Sequence, residues 1–344
     1  VLVLGVWSAE AFNSAKRSFS NILFENIYLE SSDIPYQHLL QEAQIQPSDF
    51  QAILFLPFAN TSGDKLFFEK GLESAFSEAM KCAYHTQLPL IQSFSPRLPF
   101  SNALSSIQLL ADSTIRKVRL DDMSEKPILV VSTNGEFSDY EEKLLHKTTE
   151  LTSFGNVTLS KLEIDVFHKS HKNWLVYTDS IKPFLIGNDQ LKADVDIQKI
   201  FLQNFENAKA ENIFKGKGAL FQRRNSVEIF SEDFSSKGFS GEYELSFWMF
   251  FDTRSYDMPK AKLDLLNKKG ELINSIQLNT RAIHNIYESW VRVEHIFTIS
   301  EEITYQLELN WKYITIDDLL LKPLKSNVLT ISPDGKESFN NFPL

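Results

Sequence analysis

Among 344 residues the chain has a single cysteine, Cys82. One cysteine excludes an internal disulfide framework and every metal site built from several thiolates. Basic runs are missing as well. Lys and Arg number 35 against 45 Asp and Glu, a formal net charge of −10, and nowhere do five or six basic residues gather. This argues against nucleic acid and against an anionic membrane surface as partners. The signatures of common enzymes are also lacking: there is no GxSxG elbow, GxxxxGK[ST] phosphate loop, HExxH, CxxC or EF-hand loop. "GKGALF", with Gly216 and Gly218, lacks the third glycine of a dinucleotide fingerprint. The sequence therefore assigns no catalytic residue and no organic cofactor.

What is present is ordinary globular material, 43% hydrophobic and 23% charged, with 28 Phe against 10 Tyr and 5 Trp. The length fits two domains at ~100–200 residues each, and the phenylalanines suit core packing in a β-rich fold. Strand and helix alternate over 50–165. The apolar run at 51–57 reads as a strand, and "LFFEKGLESAFSEAMKCAYH" as a helix carrying Phe68, Leu72, Phe76, Met80 and Ala83 on one face. "LPLIQSF", "KPILVVST" and "NVTLSKLEI" read as further strands, and "SNALSSIQLLAD" and "DYEEKLLHKTTEL" as helices. Such alternation predicts an α/β domain with a largely parallel sheet, here placed at 1–190. "FHKSHKNW" reads as a basic loop. From Ile197 the pattern turns to alternating runs, as in "TYQLELNW", where Tyr305, Leu307, Leu309 and Trp311 share one side. With a hairpin signal at "NKKGE" this predicts an antiparallel β-sandwich over 198–323, followed by an extended tail at 324–344 with one turn at "SPDGK".

Several residue groups could carry chemistry. If the first two strands are parallel neighbours, Asn60, Ser62, Asp64, Ser95 and Arg97 converge on one rim of the sheet, where helix N-termini and an arginine can hold an anion or a sugar hydroxyl. The same residues also serve as ordinary helix caps. Asp194 and Asp196 form a DxD in the interdomain linker, too few oxygens for a hard cation by themselves. His168 and His171 lie three apart, but Lys169 and Lys172 beside them repel a metal. Asp317 and Asp318, adjacent on the last sandwich strand, are expected to face opposite sides, one toward solvent and one toward backbone amides at a sheet edge, with calcium as the other reading. Cys82 lies on the apolar side of its helix and is expected to be inert.

Two stretches resemble known families. "ILFLPFANTSGD", "TQLPL" and "KPILVVSTNGEFSDYEEKLLHKTTELTSFGNVTLSKLEI" resemble the extracytoplasmic region of polytopic membrane proteins of Bacteroidetes-type bacteria, whose membrane half resembles lipid-linked-sugar glycosyltransferases. Phe58 and Ala59 stand where that family carries Tyr and His. "NFENAKAENIFKGKGAL", "YELSFWMFF", "ESWVRVEHIF" and "ITIDDLLLKP" are similar to jelly-roll carbohydrate-binding modules. The resemblances imply an extracytoplasmic, non-catalytic region of a cell-envelope protein, tethered to the membrane ahead of Val1. Its partners would be a glycan or a membrane-embedded part of the same parent chain. Sugar stacking would then fall to Tyr256, Tyr313 and Trp248, while Trp290 and Trp311 fill the core, and a structural calcium would sit at Asp317 and Asp318. A free-standing enzyme using the crevice at Asn60 and Arg97 and an interaction module without a small ligand are the competing readings.

Overall fold

The computed structural model describes residues 40–59, 72–92, 99–223, 226–254, 257–281 and 283–344. Its first layer is built on β1 (Ala52–Leu56), α1 (Leu72–Thr86), α2 (Phe100–Ile107), β2 (Ile128–Thr133), α3 (Asp139–Leu145), β3 (Thr149–Phe154), β4 (Val157–Leu162) and α4 (Asp165–Ile181). β1 and β2 pair in parallel, Ile53 opposite Leu129. Both strands are buried along their whole length, as expected where helices or another layer cover both faces of a sheet. Ala75, Ala79 and Cys82 recur at helical spacing along α1 and are fully buried with Ile53, Phe55, Leu129 and Val131. On the other face Leu54, Leu56, Ile128 and Val130 meet Leu104, Ile107, Leu144 and Phe167 of the remaining helices.

The α/β domain is as expected, but its sheet is mixed. In the order β1-β2-β4-β3 only the first pair is parallel; β4 runs antiparallel to both β2 and β3. The cause is local. Gly155 adopts φ +58 and closes a hairpin between β3 and β4, so the last three residues of "DYEEKLLHKTTEL" open a strand. α3 stops at Leu145 after a Ser138–Glu141 capping box. In the expected strand "LPLIQSF", the described part contributes a single bridge, Ile53 to Leu90. "FHKSHKNW" is not a loop, since it forms the first half of α4. Phe167, His171, Trp174 and Thr178 place the less exposed side chains of that helix at helical spacing.

β5 (Ile186–Gly187) and β6 (Leu191–Ala193) form a hairpin in the linker. The sandwich follows with β7 (Phe201–Gln203), β8 (Leu220–Gln222), β9 (Ser226–Glu232), β10 (Gly241–Phe250), β11 (Lys260–Leu266), β12 (Leu272–Leu278), β13 (Ile286–Tyr287), β14 (Trp290–Ile299), β15 (Thr304–Asn310) and β16 (Ile314–Pro323). One sheet runs β8-β16-β10-β14, with β7 beside β16 and β13 beside β14, and the other runs β9-β15-β11-β12. Seen from β8 onward, the eight main strands cross between the sheets in the order of a jelly roll. Tyr243, Leu245, Phe247 and Met249 of one sheet and Ala261, Leu263, Tyr305, Leu307 and Leu309 of the other fill the space between.

The final residues also fold. β17 (Val328–Ile331), β18 (Glu337–Phe339) and β19 (Phe342–Pro343) add to the linker hairpin in the order β19-β18-β17-β6-β5. The tail thus returns across the linker and lies over the outer face of the β10-β14-β16 sheet, where Phe342 joins Trp248, Trp290 and Phe214. α4 packs on it from outside, Trp174 against Phe342 and Tyr177 against Phe339. Polar contacts fix the α/β layer to the sandwich. Gln108 donates to the Ile286 carbonyl at 2.7 Å and accepts from Val118 N, and Asp112 and Asn285 exchange two hydrogen bonds at 3.1 and 3.0 Å.

Candidate functional site

Asn60, Ser62, Asp64, Ser95 and Arg97 lie outside the described residues, as does Tyr256. At the described end of β1, Phe58 and Ala59 are buried, and Phe58 N donates to Glu141 Oε1 of the α3 capping box.

Trp248 is not a stacking surface. It is fully buried, its indole stacked on Phe214 at 4.5 Å and its Nε1 donating to the Asn341 carbonyl at 2.8 Å. The alternation puts Trp248 on the outer face of its sheet, but the returning tail and the loop before β8 cover that face. Trp290 is buried there too. Tyr313 is half-buried, with the Arg254 guanidinium 5.0 Å over its ring, so one ring face is already occupied.

Asp317 and Asp318 correct another expectation: neither faces solvent, and β16 lies inside its sheet. Ser246 pairs with Leu320 and Trp248 with Asp317, so Asp318 and Leu319 together stand opposite Phe247. This is a β-bulge, with Asp318 in the left-handed region at φ +48. Asp317 Oδ2 accepts the backbone amides of Phe214 and Lys215 at 3.1 and 3.2 Å. Lys215 Nζ lies 3.0 Å from Asp318 Oδ2 and donates to Thr330 Oγ1 and Ser338 Oγ of the tail at 3.0 and 3.1 Å. Burial and the neighbouring Asp318 push the Asp317 carboxyl up to about 8, and burial raises Asp318 as well. The glycines of this loop let it pack against residues 205–208. A Cβ on Gly216, at φ +77, would stand 2.0 Å from Glu206 Oε1, and one on Gly218 would stand 2.5 Å from two backbone carbonyls. The cation facing Asp318 is thus a lysine ammonium. Among the described residues no cluster of three or more His, Cys, Asp or Glu is arranged to hold a metal ion.

The remaining sequence candidates divide. His168 and His171 sit on α4, where His171 Nδ1 is 2.9 Å from the Ser113 carbonyl. Burial pushes the Cys82 thiol up to about 12, which leaves it inert at neutral pH. Asp194 accepts from Asn327 N and Nδ2 at 2.9 and 2.7 Å, and Asp196 caps the turn at Gln198 N. These two carboxylates belong to a surface cleft of about 610 Å³, lined also by Phe184, Ile186 and Asn188. Phe184 is 74% exposed and Ile186 81%. No sequence reading singled out Phe184. The available signal was an aromatic directly after Pro183, in a short segment that Pro183 and Gly187 bracket. A second cleft of about 330 Å³ opens between α3 and Leu109–Ser113. Close by, burial lowers Lys117 to about 7 while its Nζ donates to the carbonyls of Ala111 and Asp112.

No helix among the described residues is long and apolar enough to cross a membrane. No family model matches the chain, and no curated protein matches it. Among solved structures it is similar to the CBM22-1 xylan-binding domain of Paenibacillus barcinonensis Xyn10C, at TM-score 0.24 and 14% identity over 40% of this chain and 89% of that one. It is similar also to the GH26-CBM35 β-(1,4)-mannanase of Podospora anserina, at 0.23 and 14% over 36% and 27%. A third is BtGH115A, a family GH115 4-O-methyl-α-glucuronidase with specificity for decorated arabinogalactans, at 0.24 and 14% over 36% and 18%. The chain thus spans less than a third of the length of the last two. Likeness at this level decides neither fold nor ligand; the jelly roll rests on the strand order alone.

Proposed function

We propose that this chain is a non-catalytic, glycan-recognising region of a bacterial envelope protein, on its extracytoplasmic side, with the Phe184 cleft as the sugar site. The envelope placement is supported by the sequence resemblance to extracytoplasmic regions. The observation that carries the sugar site is the exposed Phe184 ring beside a wall bearing Asn188, Asp194 and Asp196. A pyranose has an apolar C–H face and a rim of hydroxyls. An aromatic ring takes the face, and carboxylate and amide groups take the hydroxyls. Asn327 holds Asp194 in place, so that wall is ordered before a ligand arrives.

The test is a titration of the full chain against a panel of neutral and acidic oligosaccharides. Phe184→Ala is expected to weaken the best binder at least about tenfold, about 1.4 kcal/mol, with the unfolding midpoint unmoved. Unchanged affinity in that variant would overturn the assignment. The edge position of β5 supports a second reading. In it Ile186 and its strand receive a segment of an adjoining part of the same envelope protein, and Phe184→Ala would affect that association instead.

A further inference from the structure

The cleft between α3 and Leu109–Ser113 differs in charge from the rest of the molecule. The chain carries a net −10, yet the walls here bring Lys143, His146 and Lys147 against one carboxylate, Asp112. That carboxylate is already engaged: Asp112 Oδ2 accepts from Asn285 Nδ2 at 3.0 Å, and Oδ1 lies 3.4 Å from Lys143 Nζ. The floor is apolar, with Leu144 and Phe167 buried. To one side stands Tyr140, whose ring is stacked on His284 at 4.4 Å and carries the Lys143 ammonium 5.1 Å over it. A volume of about 330 Å³ is within the range of small-molecule sites. Two lysines against one carboxylate leave one positive charge in surplus above an apolar floor. That fits a ring that bears a negative group better than a bare inorganic ion, which has no use for the floor.

We propose that this cleft is a binding site for an acidic sugar, its carboxylate held by Lys143 and Lys147 and its ring resting on the apolar floor beside Tyr140. The site is separate from the Phe184 cleft. Phe167 lies in the first turn of α4 and Phe184 beyond its last residue, Ile181, and at ~1.5 Å rise per residue the helix from Phe167 to Ile181 alone spans about 21 Å. Each proposal therefore stands or falls alone.

Galacturonate, galactose and inorganic phosphate are titrated separately into the full chain, with binding followed by calorimetry. Saturable binding of galacturonate, at least about tenfold tighter than galactose or phosphate, is expected. Lys147→Ala should weaken it by about tenfold, and Lys143→Ala/Lys147→Ala should abolish it. Lys172→Ala, on an exposed turn of α4 outside the cleft, should bind as the parent does, and Phe184→Ala likewise. Thermal melts of each variant report whether it is folded. Lack of saturable galacturonate binding, or equal binding by the folded double variant, overturns the site. Phosphate binding as tight as galacturonate overturns the sugar, leaving an anion hole.

Discussion

The two outer faces of the sandwich carry similar side chains under opposite conditions. On the β9-β15-β11-β12 sheet, Lys262 reaches Asp264 at 2.6 Å and Glu308 at 3.4 Å, with the lysine side chain 34% exposed. On the opposite sheet, Lys215 faces Asp318, and Arg292 and Lys322 face Glu244. There all three cations are at most 4% exposed, because the loop before β8, which itself carries Lys215, and the returning tail close over that face. A pair in water is worth ~0–1 kcal/mol, since the solvent competes for both charges. A covered pair has lost its hydration, and removing one partner strands the other. The same residue types thus serve solubility on one face and, on the other, tie the C-terminal strands to the sandwich.

The largest effect expected from this contrast comes from Lys215. In Lys215→Met the Asp318 carboxyl would stay buried without its cation, and Thr330 and Ser338 would lose their donor. Urea unfolding should show a loss of about 3–5 kcal/mol. Adding Asp318→Leu should return part of that loss, since the stranded charge is then gone. A Lys215→Met variant within about 1 kcal/mol of the parent would mean that Phe342 and Trp248 hold the tail by packing alone.

The domain interface gives an intermediate case, read through pH. Burial lowers His284 from 6.5 to about 4. The unfolded chain therefore binds a proton between these values that the folded chain refuses. The stability His284 contributes is complete above pH 6.5 and is lost as pH falls toward 4. A shift of this size corresponds to about 3 kcal/mol. His284→Phe can keep the stack on Tyr140 and should flatten the stability profile between pH 6.5 and 4. An equal slope in parent and variant would assign the acid loss to carboxylates instead.

Much of the fold was legible in the sequence, for a physical reason: side-chain alternation reports which faces are buried. It gave the α/β layer, the sandwich and the strand carrying Tyr305, Leu307 and Leu309. It failed where burial came from chain segments far away. Trp248 alternates as an outward residue and is outward, but a tail some 90 residues later covers it, and nothing near Trp248 signals that. Asp317 and Asp318 misled because strict alternation assumes no bulge. α4 was hidden by its charges, although Phe167, Trp174 and Thr178 keep helical spacing. Of the site candidates, Asp194 and Asp196 were visible as a pair, whereas their cleft depends on Phe184, which belongs to no motif.

The smallest effect should come from the open face. Lys262→Met removes the cation from Asp264 and Glu308, but Asp264 keeps its hydrogen bond from Ser275 Oγ, and water can reach the space that Lys262 leaves. Urea unfolding should show a change of at most about 1 kcal/mol, shrinking further in high salt because exposed charges are screened. Salt should leave the Lys215→Met loss largely unchanged, since ions do not enter a covered site. A Lys262 effect as large and as salt-insensitive as that of Lys215 would mean that this face is covered as well. The contrast between the two faces would then lie in sequence alone and not in exposure.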